Sequence, residues 1–234
     1  MMKIDTEIIL PHIYVLTFDT QYEACMSFVR MQEFYESPKF KGKYFTLEEF
    51  IDYWAINWGD GYFDYVSRWH GFNLPGNVIE AWKDIFWLRD NGSFREREVS
   101  VLNNIQKAMK KEKLVGSKYY VIGVHKESSS ASRQEVIEHE LAHAFYYLYP
   151  EYKRVARKML KEIPKKTFRK AKKALLDLGY GTNVLEDEMQ AYFSTYKYEA
   201  GDNKDLRHFR IRKEFVETLS KYRQKLVKKP VSKK

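Results

Sequence analysis

The amino-acid sequence predicts a predominantly helical α+β fold with a small sheet. Apolar residues recur at helical spacing through most of the 234 residues. Two short runs, 12–18 and 118–125, instead carry the β-branched and aromatic residues that favour strands. Hydrophobic residues make up 44% of the chain, which is enough for a packed core.

Helical patterns surround these two runs. Thr46 and Glu49 form a capping box at the start of one of them. Residues 59–76 are predicted to be a loop because they contain several glycines and Pro75. Apart from the helix discussed next, the predicted helices cover residues 23–35, 46–57, 78–88, 96–113, 151–163, 165–178, 185–198 and 205–227.

The most informative motif is His-Glu-Leu-Ala-His at residues 139–143. Residues four apart lie on one face of an α-helix, so His139 and His143 can direct two ring nitrogens at one point. Glu140 lies beside that point. A zinc hydrolase needs this arrangement of two nitrogen ligands, an open position for water and a carboxylate to activate it.

The helix that carries the motif is predicted to begin at Ser132, with Glu135 completing a capping box, and to stop before Pro150. Its pattern predicts three faces. The apolar stripe is formed by Ile137, Leu141, Ala144, Phe145 and Leu148. His139, Glu140 and His143 share a second face with Val136 and Tyr147. The third and more polar side is formed by Glu135, Glu138, Ala142 and Tyr146.

A catalytic zinc ion usually has three protein ligands. Glu188 is the favoured third ligand because it lies at the edge of the buried stripe of the 185–198 helix, where a carboxylate needs a partner. Glu186 and Asp187 are expected to point further away. His208 is a possible ligand, and a solvated acidic helix start is the alternative interpretation of Glu188.

The motif, followed by Glu188 in a Glu-x-x-Ala context, resembles the gluzincin group of zinc metallopeptidases. The resemblance covers roughly residues 117–200. It implies a zincin-like catalytic region with an active-site helix, Zn²⁺ held by His139, His143 and Glu188, and Glu140 as general base. It also implies that Ala191 lets two helices approach. Thermolysin-like members place an aspartate at the position of Tyr192, so here the support for a ligand histidine must come from elsewhere.

The resemblance implies hydrolysis of peptide bonds by a zinc-bound water that Glu140 activates. The tetrahedral oxyanion needs a further donor. Tyr180, between Gly179 and Gly181, is the first candidate, and Tyr192 and His208 are weaker ones. The strand at 118–125 is expected either to be an edge strand that pairs with an extended substrate or to be an ordinary internal strand.

Three regions follow from this interpretation. Residues 1–115 would form a mostly helical, aromatic-rich region packed on the catalytic part, 116–227 the zincin-like region, and 228–234 a basic disordered tail. All five tryptophans lie between Trp54 and Trp87, which favours an aromatic core over an exposed platform for a partner.

Positive charge is concentrated in residues 151–180 and 221–234, within a net charge of +9. These segments indicate possible binding of an acidic partner or of nucleic acid, although a solvated helix surface is the more common explanation. A nucleic-acid-binding protein with a structural or inactive zincin core, or a hydrolase of a non-peptide bond, are therefore alternatives to a peptidase. The candidate cationic face is Lys165, Lys166, Arg169, Lys170, Lys172 and Lys173.

The remaining features favour a soluble, intracellular protein. The N-terminus lacks the layout of a signal peptide, and no run approaches the length of a membrane span. Cys25 is the single cysteine, so no intrachain disulfide can form.

Overall fold

The computed structural model describes residues 2–177, 180–182, 184–195 and 212–227. The chain divides into two compact units, residues 1–137 and 138–234, and the division falls inside one helix. Helices predominate and the sheet has four strands, which confirms the predicted α+β class.

The first unit contains a mixed sheet of four strands: β1 (Ile4–Leu10), β2 (Ile13–Phe18), β3 (Gly71–Pro75) and β4 (Tyr120–His125). Across the sheet they lie in the order β1-β2-β4-β3. β2 and β4 are parallel, with Val15 opposite Ile122, whereas the two outer pairs are antiparallel. The strand predicted at 118–125 is therefore internal, and β1 and β3 are the edges.

Four of the five helices described in this unit agree closely with predicted ones, and α3 was not predicted. They are α1 (Gln21–Glu36), α2 (Leu47–Asn57), α3 (Tyr65–Arg68), α4 (Gly76–Arg89) and α5 (Glu96–Glu112). Capping boxes start α1 at Thr20 and α2 at Thr46, the latter as predicted. The predicted loop at 59–76 was wrong, because it contains α3 and β3. β3 tolerates Pro75 since the proline ends a short edge strand.

The core of the first unit is formed by the sheet together with α1, α2, α4 and α5, all of which contribute buried apolar side chains. The ring of Phe28 packs against the backbone of Gly123 in β4, where any added Cβ would lie 2.3 Å from the ring. Gly123 therefore permits the close approach of helix and strand. Trp54 and Trp82 are buried in this core, whereas Trp58, Trp69 and Trp87 are exposed. The prediction that the tryptophans form an aromatic core was therefore wrong for three of the five.

The second unit is helical throughout its described part. The helix α6 (Ser130–Leu148) runs into it from the first unit, and α7 (Pro150–Glu162), α8 (Lys165–Asp177), α9 (Leu185–Ser194) and α10 (Arg212–Val227) follow. α9 contacts α7, α8 and α10 and is the centre of the unit. Within the described ranges, none of the helices combines the length and the apolar character that a membrane crossing requires.

Candidate metal centre

The helix that carries the motif begins earlier than predicted. The backbone N–H of Ser132 donates to Oγ of Ser129 at 3.1 Å, and that of Arg133 donates to the Ser129 carbonyl. Ser129 is therefore the capping residue, and the prediction of Ser132 was wrong because several serines precede the helix and each can cap.

The burial of α6 also differs from the predicted three faces. Every side chain from His139 to Tyr146 is buried, including Ala142 and Tyr146, which were predicted to lie on a polar side. Glu135 and Glu138 are half-buried. The side chains of α6 up to Glu138 are thus at least partly accessible, whereas the motif lies in the buried part of the helix.

His139, His143 and Glu188 converge. One ligand atom from each lies within 4.8 Å of the others, and all three side chains are buried. Nε2 of His139 is 3.3 Å from Nε2 of His143, which is 3.7 Å from Oε2 of Glu188. Among the described residues this is the only cluster of three such groups that could hold a metal ion.

The hydrogen bonds of the two rings leave both Nε2 atoms available to a cation. Nδ1 of His143 donates to Oδ1 of Asp187 at 2.9 Å. Nδ1 of His139 lies 3.4 Å from Oγ1 of Thr195, whose hydroxyl donates to the Ala191 carbonyl and thus accepts from the ring. Two Nε2 lone pairs then face each other, and a cation between them is the simplest way to satisfy both.

Electrostatics distinguish the two histidines. Burial and the neighbouring His143 hold the pKa of His139 well below its usual range, so this ring is neutral, as a metal ligand must be. Burial also acts to lower the pKa of His143, but the carboxylates of Asp187, Glu188 and Glu140 outweigh it and raise the pKa well above the usual range. His143 therefore holds a proton more readily than His139 does.

Asp187 is a residue of the candidate site that the sequence interpretation missed. It was expected to point away, yet its carboxylate orients His143 from the first turn of α9. The sequence interpretation could assign no such partner at Tyr192, and in the structure Asp187, the residue before Glu188, contacts the ring instead. A carboxylate that accepts from the far nitrogen of a ligand histidine fixes the ring and increases its basicity.

Gln190 connects this carboxylate to the surrounding helices. Its Nε2 donates to Oδ1 of Asp187 at 2.9 Å and to the Ala142 carbonyl at 3.2 Å. Its Oε1 accepts from the hydroxyl of Tyr152 at 2.9 Å. Gln190 is fully buried, so this network holds the first turn of α9 against α6. Ala191, predicted to be the small residue between these helices, is also fully buried.

Glu140 belongs to the same group of side chains. It is buried, and its charge acts on both His143 and Tyr192. The ring of Tyr192 lies 4.9 Å from that of His139, centroid to centroid. Burial raises the pKa of Tyr192 to about 12, and a hydrogen bond with Tyr180 opposes the rise. Tyr192 is therefore protonated and can donate.

Tyr180 reaches the site through Tyr192. The two hydroxyls are 3.1 Å apart, and Tyr180 is the more exposed of the two. The two tyrosines named as candidate donors thus lie side by side. His208, named as a weaker ligand and donor, lies outside the described residues, as does the tail 228–234.

The candidate cationic face is exposed on α8. All six of its side chains are solvent-accessible, and Lys173 pairs with Asp177 at 2.6 Å. None of the six is among the residues that form the metal cluster, so the two predicted sites are separate.

Comparison with protein-family models, curated proteins and solved structures gave no match. Interpretation of this site therefore depends on its own geometry and chemistry, and the resemblance to gluzincins is limited to the residues described above.

Proposed function

We propose that this protein is a zinc-dependent metallopeptidase of gluzincin type, with α6 as the active-site helix of a zincin-like catalytic region. The observation that supports this most is the convergence of His139, His143 and Glu188 beside the buried carboxylate of Glu140. A metal-binding cluster alone has many uses. A cluster with an adjacent base on the same helix matches the requirements of metal-assisted hydrolysis.

The donor atoms favour zinc. Calcium and magnesium prefer all-oxygen sites, whereas two imidazole nitrogens and one carboxylate are a common set for catalytic zinc. A tetrahedral zinc with bonds of about 2.0–2.1 Å holds its ligand atoms roughly 3.3–3.4 Å apart. The separation of 3.3 Å between the two Nε2 atoms fits this spacing, and the 3.7 Å to Glu188 needs only a small adjustment.

In the proposed reaction, a bound zinc ion would supply Lewis acidity that polarises the substrate carbonyl and makes a water molecule acidic near neutral pH. Glu140 accepts the proton of the attacking water and later delivers it to the leaving amine. Asp187 keeps His143 in the orientation and tautomer that ligation requires. Gln190 keeps Asp187 in place.

Tyr180 donates a hydrogen bond to the oxyanion in this proposal. Its hydroxyl already contacts that of Tyr192, and its greater exposure leaves it better placed to meet a substrate. Tyr192 is buried against His139 and serves to position Tyr180. Donors of this kind stabilise the charge that develops in the transition state.

Binding of nucleic acid by the basic face of α8 is the alternative function, and the exposure of its six cations is compatible with it. It would leave the buried cluster without a role, which is why we favour the peptidase. Hydrolysis of a non-peptide bond would use the same cluster and is distinguished only by substrate.

The decisive experiment is incubation of the purified chain with a peptide library and with denatured protein, followed by mass spectrometry. We expect cleavage that a chelator abolishes, zinc restores and Glu140→Gln removes. Glu135→Gln, five residues earlier on α6 and half-buried, is the matched control and should retain cleavage.

Two results would count against the proposal. Cleavage that survives both chelation and Glu140→Gln would arise from a contaminant or from another site. Zinc binding without cleavage of any peptide, together with cleavage of an ester, phosphate or glycoside panel, would keep the metal centre and replace the substrate class.

A further inference from the structure

The second unit contains a cavity of about 570 Å³ that does not include the metal ligands. It lies among α7, α8 and the first turn of α9. This volume is within the range of about 300–1,000 Å³ found for ligand pockets, so it can hold two or three side chains.

Four cationic side chains surround the cavity: Arg157, Lys161, Lys165 and Arg169. Arg157 pairs with Glu186 through Nε at 2.9 Å. Within the described part of the chain, Lys161, Lys165 and Arg169 have no carboxylate partner. The cavity therefore carries an excess of positive charge at its rim, which a concave site concentrates.

The floor of the cavity is apolar. Leu160 and Ile163 are buried, and Phe168 is half-buried beside them. A ligand that gains from both parts has an anionic group for the rim and an apolar group for the floor. An inorganic anion would leave the apolar floor in contact with water. A plain hydrocarbon would leave the three cations without a negative partner.

The cavity lies close to the metal cluster along the chain. Glu186 borders it and precedes the ligand Glu188 by two residues, which is about 3 Å along a helix axis. Glu186 also accepts a hydrogen bond from the hydroxyl of Tyr146, three residues after His143. The first turn of α9 therefore contains both a residue that lines the cavity and a proposed metal ligand.

We propose that this cavity binds an acidic segment of a polypeptide in which Asp or Glu stands next to a large apolar residue. Lys161, Lys165 and Arg169 receive the carboxylates, and Leu160, Ile163 and Phe168 receive the apolar side chain. The role of the cavity in selecting substrates rests on the proposed peptidase function, whereas the binding itself does not.

A polypeptide fits these features better than a nucleic acid does. A nucleic-acid backbone that follows a basic groove contacts the cations, but it would leave the apolar floor of Leu160, Ile163 and Phe168 in contact with water. Lys166, Lys170 and Lys172 are exposed on α8 without lining the cavity, so they provide positive charge but no pocket.

Binding can be measured without catalysis. The full chain carrying Glu140→Gln, with and without a chelator, is titrated into a fluorescein-labelled peptide in which Asp and Glu alternate with Leu and Phe. Fluorescence anisotropy is read at about 0.15 M salt, where long-range attraction is screened. An Asp/Gly peptide of equal charge and a single-stranded oligonucleotide are the comparison probes.

The test variant is the triple Lys161→Gln, Lys165→Gln, Arg169→Gln, and the matched control is Lys166→Gln, Lys170→Gln, Lys172→Gln. Both remove three positive charges. We expect the first to weaken binding of the acidic, apolar peptide by at least about tenfold and the second by less than about twofold. The Asp/Gly peptide should bind more weakly than the apolar one.

Equal losses in the two triple variants would overturn the proposal, because the attraction would then depend on total charge and not on the cavity. Tighter binding of the oligonucleotide than of the peptide, lost in the first variant, would replace it with a nucleic-acid site. Specific peptide binding without peptidase activity would uphold the cavity and reject the proposed function, so the two failures are distinguishable.

Discussion

Asp187 accepts a hydrogen bond from Nδ1 of His143 at 2.9 Å, while Oε2 of the next residue, Glu188, lies 3.7 Å from Nε2 of the same ring. Consecutive residues of α9 thus contact the two nitrogens of one imidazole. This pairing combines ligand and support in a single helical turn, so the position of α9 determines both at once.

The first prediction follows from this pair. Asp187→Asn keeps the shape of the side chain but removes its charge, so we expect zinc affinity to fall by about 10–100-fold. Competition with a zinc chelator of known affinity measures the change. Glu186→Gln is the matched control, since its carboxylate pairs with Arg157 and Tyr146 and with neither ring. Equal losses in both variants would show that Asp187 has no special role.

The second prediction concerns metal content. The wild-type chain should contain about one zinc ion, and His139→Ala or His143→Ala should remove it, because two of three protein ligands cannot retain catalytic zinc well. Elemental analysis of the purified proteins measures the ratio. His70→Ala, in the first unit, serves as the control and should keep its zinc. If both ligand variants retained a full equivalent of zinc, the ion would be bound elsewhere.

The third prediction separates the two neighbouring tyrosines. Tyr180→Phe should lower kcat by about 10²–10³-fold with little change in KM or zinc content, because an oxyanion donor acts in the transition state. Tyr192→Phe removes only a hydroxyl that positions Tyr180, so its loss should be smaller. Steady-state kinetics on a cleaved peptide give both numbers. The reverse order would make Tyr192 the donor.

The cluster of His139, His143 and Glu188 could be predicted from the sequence because the positions of its members follow from local geometry. The spacing of His139 and His143 places both on one face of any helix, and the margin of an apolar stripe indicates Glu188. Asp187 could not be found in this way, since helical periodicity gives the direction of a side chain and not the partner it meets. The glutamate–aspartate–glutamate run was the only signal.

The sheet was predicted less completely for a related reason. β1 has only one buried side chain, and its sequence Ile-Asp-Thr-Glu-Ile-Ile-Leu does not alternate regularly between apolar and polar residues, so its pattern is weak. β3 contains a glycine and a proline and has the composition of a turn, although it pairs with β4 from Gly71 to Pro75. The extended conformation of such edge strands depends more on pairing with the adjacent strand than on the β-propensity of their own residues.

The fourth prediction concerns a buried ion pair in the first unit. Arg30 donates through Nε and a terminal nitrogen to the two carboxylate oxygens of Glu98, each at 2.6 Å, and both side chains are almost fully buried. Glu98→Gln leaves the guanidinium with reduced compensation, so the free energy of unfolding should fall by about 3 kcal/mol. Urea denaturation measures the loss.

The exposed pair of Glu48 and Arg95 is the control for this experiment. Glu48→Gln should lower the free energy of unfolding by less than about 1 kcal/mol, because water screens the pair. Losses of similar size in the two variants would mean that burial does not govern the strength of these contacts.

The last prediction is a dependence of stability on pH at Glu33 in α1. Burial raises the pKa of its carboxyl from 4.5 to about 7, so the folded chain holds this proton more tightly than the unfolded chain does. The contribution of this proton to the free energy of unfolding is complete below pH 4.5 and is lost as the pH rises to about 7, by as much as about 3 kcal/mol.

Glu33→Gln removes the titration. Its free energy of unfolding, measured in urea, should therefore exceed that of the wild type by more at about pH 8 than at about pH 4. Glu162→Gln, at an exposed position of α7, provides the reference for substitutions without burial. A difference between Glu33→Gln and wild type that stayed constant from acid to neutral pH would show that the carboxyl of Glu33 titrates as it does in water.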